Sequence, residues 1–174
     1  MAAAAPGPPS EADSAFEELY RGSRDDLYAY VAGLLRDRHA AEDVTALAFE
    51  RAYRRRARFD PRRGTRRAWL FAIARNAALD ELRRRRRLAE LAREPAGETS
   101  SEIEESVEVS LRRAALREAM AELSGREREL VALKFFAGLS NAEIAAVLGI
   151  SESNAGTRLH RVVTKLREAC DEVA

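Results

Sequence analysis

The stretch Leu139-Ser-Asn-Ala-Glu-Ile-Ala-Ala-Val-Leu-Gly-Ile-Ser-Glu-Ser-Asn-Ala-Gly-Thr-Arg-Leu-His-Arg161 decides the reading of this chain. Ser140 followed by Glu143 has the spacing of a capping box, in which each side chain satisfies a free backbone N–H of the other residue, so a helix starts near Asn141. Gly149 supplies a turn, and a second helix begins after Ser151. Ala145 is small enough to let the two helices cross. Ile144, Leu148, Ile150, Ala155 and Leu159 form a small core at helical spacing. A helix, a tight turn and a second helix that is apolar on one face predict a helix-turn-helix, which lays its second helix in the DNA major groove. The residues pointing outward are then Ser153, Asn154, Gly156, Thr157, Arg158, His160, Arg161 and Lys165. Those nearest Ser151 face base edges and the later basic ones face phosphates.

Working outward, Ser124 and Glu127 repeat the capping-box spacing and start a helix near Gly125. A further helix spans about Val109 to Leu123. Upstream, apolar residues recur at helical spacing from Asp13 to Leu35, where Gly22 and Ser23 either interrupt or weaken the helix. A second helix runs from about His39 to Ala57, with Val44, Leu47, Ala48 and Ala52 inward. Phe59 to Gly64 is a loop, because Pro61 and Gly64 both disfavour continuation. Thr65 caps a third helix reaching about Leu91. Its first part, Ala68 to Ala74, is apolar all round and buried, while Arg83 to Arg87 are exposed.

The net charge of +1 over 174 residues hides strong segregation. Residues 51–93 carry 16 basic and 4 acidic side chains, whereas residues 94–110 carry 6 acidic and none basic. Residues 10–50 are also acidic, with 10 acidic against 4 basic. So one-sided a basic block is an electrostatic footprint for a polyanion. The single cysteine, Cys170, excludes an internal disulfide and a cysteine-built zinc site. No phosphate loop, metal-ligand spacing or nucleophile motif is present, so neither an enzyme nor a cofactor is expected. No apolar run spans a bilayer, so membrane insertion is not expected, and a cytoplasmic location is. The expected organisation is all-α: a disordered tail over 1–12, a helical domain over 13–92, a flexible acidic linker over 93–108 and a helix-turn-helix domain over 109–174.

The segment Phe59-Asp-Pro-Arg-Arg-Gly-Thr-Arg-Arg-Ala-Trp-Leu-Phe-Ala-Ile-Ala-Arg-Asn-Ala-Ala-Leu-Asp80 resembles the promoter-melting region of bacterial sigma factors. The likeness is to the two-domain extracytoplasmic-function group. Ala41-Glu-Asp-Val44 and Phe49-Glu-Arg-Ala-Tyr53 are similar to the helix of that family that grips core RNA polymerase. The resemblance covers about residues 13–170. It implies that the first domain docks on core RNA polymerase through Glu42, Asp43, Phe49, Glu50 and Tyr53 and captures the −10 element of promoter DNA as single strand. The second domain would read the −35 element as duplex through Ser151, Ser153, Asn154, Thr157, Arg158, His160, Arg161 and Lys165. An anti-sigma factor is a further implied partner.

Single-strand capture needs a basic groove, a loop for a splayed base and polar groups to read its edge. The loop Asp60 to Thr65 suits the pocket. Arg62, Arg63, Arg66 and Arg67 are placed to hold phosphates beside Gly64 and Thr65. Asn76, Asp80, Arg83 and Arg87 recur at helical spacing and form one stripe, with Arg75 and Arg84 next to it. Asn76 is equally open to a helix-to-loop contact, and Trp69 reads as core. Ala46 and Leu47 stand where the family usually has a Gln-Glu pair. Asn154-Ala-Gly-Thr157 replaces a more basic recognition sequence, and Gly156 costs its helix about 1 kcal/mol.

Two other readings fit parts of the chain. Leu123 to Val131 with Gly138 to Ala145 resembles the output domain of response-regulator transcription factors, which implies a stand-alone duplex-binding regulator. A sigma-like protein that acts mainly through regulator binding is the other. In the free protein, the acidic linker and acidic first helices are expected to fold over the basic face and lower DNA affinity.

Overall fold

The computed structural model of the protein describes residues 10–92 and 107–171. The expected tail and most of the expected linker lie outside the described residues. The described chain is helical and contains no strand: α1 (Glu11–Leu35), α2 (Arg38–Arg54), α3 (Arg66–Ala92), α4 (Val107–Glu122), α5 (Gly125–Val131), α6 (Asn141–Leu148) and α7 (Glu152–Asp171).

Local chemistry accounts for most of these boundaries. Ser10 and Asp13 form a capping box, so α1 begins two residues before the expected start. It runs unbroken through Gly22 and Ser23. Ser23 is buried, and its hydroxyl accepts a hydrogen bond from Arg67 at 3.1 Å, which explains a small polar residue on the inner face. Asp37 caps α2 by accepting from the Ala40 N–H at 3.0 Å. α2 ends at Arg54, three residues short of the expected Ala57, and 3₁₀ turns at Arg56–Arg58 and Pro61–Arg63 carry the chain to α3. Gly64 has φ 136°, a value that a side chain would strain. Thr65 caps α3 by accepting from the Ala68 N–H at 3.0 Å.

Both capping boxes of the C-terminal half form, at Ser124–Glu127 and Ser140–Glu143. Gly149 takes the left-handed conformation, φ 67°, and the Ile150 N–H closes α6 onto the Ala145 carbonyl at 3.1 Å. α5 does not simply stop. It continues as one π-helical turn, Ala132–Phe136, in which the Ala137 N–H reaches back five residues to the Ala132 carbonyl at 2.9 Å. π-turns concentrate at functional sites, and this one brings Phe136 against α1.

The core runs through both halves of the chain. Leu27, Tyr30 and Val31 of α1, Ala48 of α2 and Leu70 and Phe71 of α3 are fully buried, and they join one apolar cluster with Leu133, Leu139, Ile144 and Ala155. A smaller cluster of Leu123, Val131 and Val162 packs α4 to α7. At the end of α3, Glu81 accepts from Arg84 and Arg85, and Arg85 also donates to Asp37 at 2.9 Å, tying α3 to the start of α2.

These bonds set the pH dependence of the first half. The hydrogen bond from Arg84, helped by Arg85 and opposed by partial burial, lowers the Glu81 carboxyl to about 2. Its contribution is complete above the ordinary carboxylate range and is lost as pH falls through about 2. Glu81→Gln should therefore lower stability at pH 6 and flatten the loss between pH 5 and 2, measured as urea midpoints across that range.

Candidate nucleic-acid interface

Two surfaces present the chemistry that nucleic acid requires. The first is the exposed face of α7. Ser153, Asn154, Thr157, Arg158, His160, Arg161 and Lys165 all face solvent, while Ala155, Leu159 and Val162 are buried behind them. Ser151 accepts from the Asn154 N–H at 3.3 Å and starts the helix. The Thr157 hydroxyl donates to the Ser153 carbonyl at 2.9 Å. A helix with such a face on a helix-turn-helix frame can enter a major groove.

The second surface is the Arg-rich side of the first domain. Asn76, Asp80, Arg83 and Arg87 are all exposed along α3 and lie on one stripe. Arg83 is held by Asp80 at 2.9 Å and Arg84 by Glu81 at 2.7 Å. The stripe leads to a cavity of about 280 Å³ whose lining includes Phe59, Asp60, Arg63, Gly64, Thr65 and Trp69. Asp60 caps the 3₁₀ turn by accepting from the Arg62 N–H at 3.0 Å and also binds the Arg62 guanidinium. Arg66 stacks its guanidinium on Phe59, 4.5 Å from the ring centroid. Trp69 is half-buried and packs against the main apolar cluster at its edge, with its ring edge-on to Phe59 at 5.7 Å.

Three residues expected to meet DNA are instead engaged by the C-terminal domain. Thr65 donates to Glu143 at 2.8 Å. Arg67 donates to the Ala137 carbonyl at 2.5 Å, to Asp26 at 2.6 Å and to the Gly22 carbonyl at 3.0 Å. Arg75 forms a two-bond fork with Glu129, at 2.6 and 3.2 Å. Glu129 is 6% exposed, and a carboxylate so buried needs a charged partner. Burial first, and then the Glu129 charge, push the neighbouring Tyr30 phenol well above its usual range. Ala146 of α6 roofs the 280 Å³ cavity from the other side.

In this arrangement α6 and the turn before it hold Thr65 and Arg67, and α5 holds Arg75, while Arg62, Arg63 and Arg66 stay exposed. Most of the acidic linker expected to cover the basic face lies outside the described residues, and its last two residues begin α4. Acids of the first helices do contribute, through Asp13 to Arg56, Asp26 to Arg67 and Asp37 to Arg85. Glu129 was not singled out in the sequence, where one carboxylate on a helix reads as a solvated charge.

On α2, Glu42, Asp43, Glu50 and Tyr53 are exposed on one side, with Glu50 accepting from Arg54 at 2.7 Å. Phe49 departs from expectation. It is 7% exposed and packs edge-on against Phe16 and Tyr20, so it supports this surface from beneath. Ala46 is exposed and Leu47 partly buried.

The family models for sigma-70 region 2 and sigma-70 region 4 match residues 19–88 and 113–166. The chain belongs to the sigma-70 family. It is 37% identical to the RNA polymerase sigma factor CarQ of Myxococcus xanthus, over 93% of this chain and 92% of that one. It is 32% identical to the extracytoplasmic-function sigma factor SigL of Mycobacterium tuberculosis, over 89% and 88%. The solved structure of CnrH, in complex with the cytosolic domain of CnrY, superposes with a TM-score of 0.64 at 28% identity, covering 92% of this chain and 90% of that one. The fold is also that of the sigma factor RpoE of Bartonella quintana, at TM-score 0.73 and 24% identity over 91% and 98%. The chain is thus an extracytoplasmic-function sigma factor, an alternative sigma factor that directs transcription initiation. That family is regulatory. No helix among the described residues is long and apolar enough to cross a membrane.

The inter-domain fork can be broken in two independent ways. Glu129→Gln keeps one hydrogen bond but leaves Arg75 without a charge partner, costing the closed arrangement about 2–3 kcal/mol. Gly33→Leu acts by volume, because a Cβ there would lie 2.8 Å from the Phe136 ring. Both variants should expand the free protein in small-angle scattering while keeping its helical circular dichroism. An unchanged radius of gyration in both would show that these contacts do not hold the domains together.

Proposed function

We propose that this sigma factor rests in a closed form in which its −35 reader domain ties up Thr65, Arg67 and Arg75 of its −10 capture surface, and that core RNA polymerase opens it. The observation that carries this reading is that Thr65, Arg67 and Arg75 are bonded to Glu143, the Ala137 carbonyl and Glu129. A strand laid along α3 would need those three groups. Opening exposes them, and the 280 Å³ cavity then loses its Ala146 roof and can take a splayed base.

Within this reading the labour divides as the exposed groups allow. Gly64 and Thr65 shape the base pocket, and Arg62, Arg63, Arg66 and Arg67 surround it with phosphate-binding charge. The exposed stripe of Asn76, Asp80, Arg83, Arg84 and Arg87 reads and guides the melted strand. On α7, Asn154 and Thr157 face base edges, and Arg158, Arg161 and Lys165 meet phosphates. Glu42, Asp43, Glu50 and Tyr53 form the polymerase-docking side of α2. Such a factor works where the polymerase is, in the cytoplasm.

A protein regulator of the anti-sigma kind fits a separate surface. An apolar groove of about 1230 Å³ lies between α1, α4, the π-turn and α7, with Phe135 and Phe136 on its wall. Phe135 is 59% exposed, a large apolar side chain left open to a partner. Arg36, Arg38, Arg117 and Arg167 line the same groove, which suits an amphipathic helix with acidic flanks. A regulator seated there would bridge both domains and hold them closed. Phe135→Ser should cut the affinity of an anti-sigma factor in calorimetry while promoter opening is kept.

Reconstitution with core RNA polymerase on a library of promoter DNA tests the main reading. Strand opening near the −10 position should depend on this protein. Asn76→Ala and Asp80→Ala should reduce opening by about tenfold, as expected for loss of one or two polar base contacts, with duplex binding changed much less. Equal loss in both assays would make the stripe structural. Opening by core polymerase without the protein, or DNA binding that never requires polymerase, would favour a stand-alone regulator.

A further inference from the structure

Closing the two domains creates a second charged feature, apart from the capture loop. A cleft of about 780 Å³ lies between α3 and the start of α5. Five guanidinium groups line it: Arg75, Arg83 and Arg86 from the first domain, and Arg126 and Arg128 from the second. The single carboxylate on its wall is Glu129, already held by Arg75. Arg83 is bonded to Asp80, and Arg128 donates to the Leu123 carbonyl at 3.1 Å. Arg86 and Arg126 are exposed, and neither has an acidic partner among the described residues.

Like charges brought together from two separate domains repel, and the repulsion is relieved by a bound anion of matching multiplicity. We infer that this inter-domain cleft is a binding site for a small polyphosphate anion, either an inorganic phosphate chain or the phosphate tail of a nucleotide. Arginine is suited to the task because its planar fork meets two phosphate oxygens at once. The cleft is walled on both sides and has the Arg75–Glu129 fork as part of its lining, so a short chain fits it better than a through-running strand. Leu79 and Leu82 supply an apolar wall on which a nucleoside could rest.

The site exists only while the domains are together, because neither domain supplies all of the cations. A bound polyphosphate therefore favours the closed form by linkage. It also occupies Arg83, which belongs to the −10 stripe. The inference rests on the closed arrangement and does not require that the promoter-reading assignments hold.

Calorimetry on the full-length protein, without polymerase or DNA, provides the test. Inorganic tripolyphosphate should bind saturably, one per chain, at about 0.15 M salt, where loose surface attraction is screened. Arg86→Gln and Arg126→Gln should each weaken it by about tenfold, the loss of one charge-assisted contact. Arg21→Gln, an equal loss of charge on α1 outside the cleft, should leave it unchanged. Glu129→Gln, which loosens the closed form, should weaken binding although it removes a negative charge. That sign separates a built site from simple attraction. ATP and GTP binding as tightly as tripolyphosphate would mean that the phosphate chain is the recognised chemistry. Tighter nucleotide binding would place the nucleoside on the Leu79–Leu82 wall.

The inference is overturned if tripolyphosphate shows no saturable binding, or if Arg21→Gln weakens it as much as Arg126→Gln. It is also overturned if a thymidine oligonucleotide displaces tripolyphosphate equally from wild type and Arg126→Gln, which would make the cations part of a nucleic-acid track. Promoter opening by the holoenzyme is read separately, because it tests the promoter-reading assignments and not occupancy of this cleft.

Discussion

Arg75 of α3 and Glu129 of α5 meet across the boundary between the two halves of the chain, and the rest of the arrangement depends on that meeting. Neither group tolerates the position alone. Glu129 is almost wholly buried, and the Arg75 side chain is only 26% exposed. Burial, the largest single effect, opposes the Arg75 charge, and the hydrogen bonds and charge of Glu129 together outweigh it and raise Arg75 above its usual range. A buried pair of this kind adds little net stability compared with apolar packing, but separating its members is costly. It therefore specifies which face of the second domain seats on the first. The apolar contacts around it, Phe136 on Gly33 and Leu133 in the shared core, supply attraction without direction.

This division between specificity and attraction has a functional consequence. Charge-paired interfaces are broken readily by a competitor that offers the same charges elsewhere. In the proposed closed form, core polymerase and promoter phosphate would be such competitors for Arg67 and Arg75. Under that proposal the same guanidinium groups would lock the resting form and later bind the melted strand, so the two states would exclude each other. A factor built this way would not engage promoter DNA productively before polymerase arrives. The apolar groove beside the π-turn is the complementary device. A partner that fills it adds to the closed form instead of competing with it.

The helix boundaries were legible in the sequence because they are decided within a few residues. Ser124–Glu127, Ser140–Glu143, Thr65 and Gly149 each act through backbone groups three or four positions away, and all act as expected. The helix-turn-helix and the α3 stripe were legible for the same reason, since a 3.6-residue period sorts inner from outer faces without knowledge of neighbours. Phe49 shows the limit of that method. Its position on α2 was assigned from likeness to a docking helix, but whether a ring faces outward depends on what α1 brings to it, here Phe16 and Tyr20.

Composition and period by themselves determined that this chain is all-helical, that it carries a one-sided basic block and that its last helix presents a polar face on a helix-turn-helix frame. Family resemblance then supplied the transcriptional role. Only the tertiary structure decided that the two halves close on each other, that Thr65, Arg67 and Arg75 face protein in this state, and that α5 ends in a π-turn presenting Phe135 and Phe136. The physical reason is separation along the chain. Arg75 and Glu129 are 54 residues apart, and Arg67 and the Ala137 carbonyl are 70 apart. Pairings at such distances leave no periodic trace, because either partner alone is indistinguishable from a solvated charge.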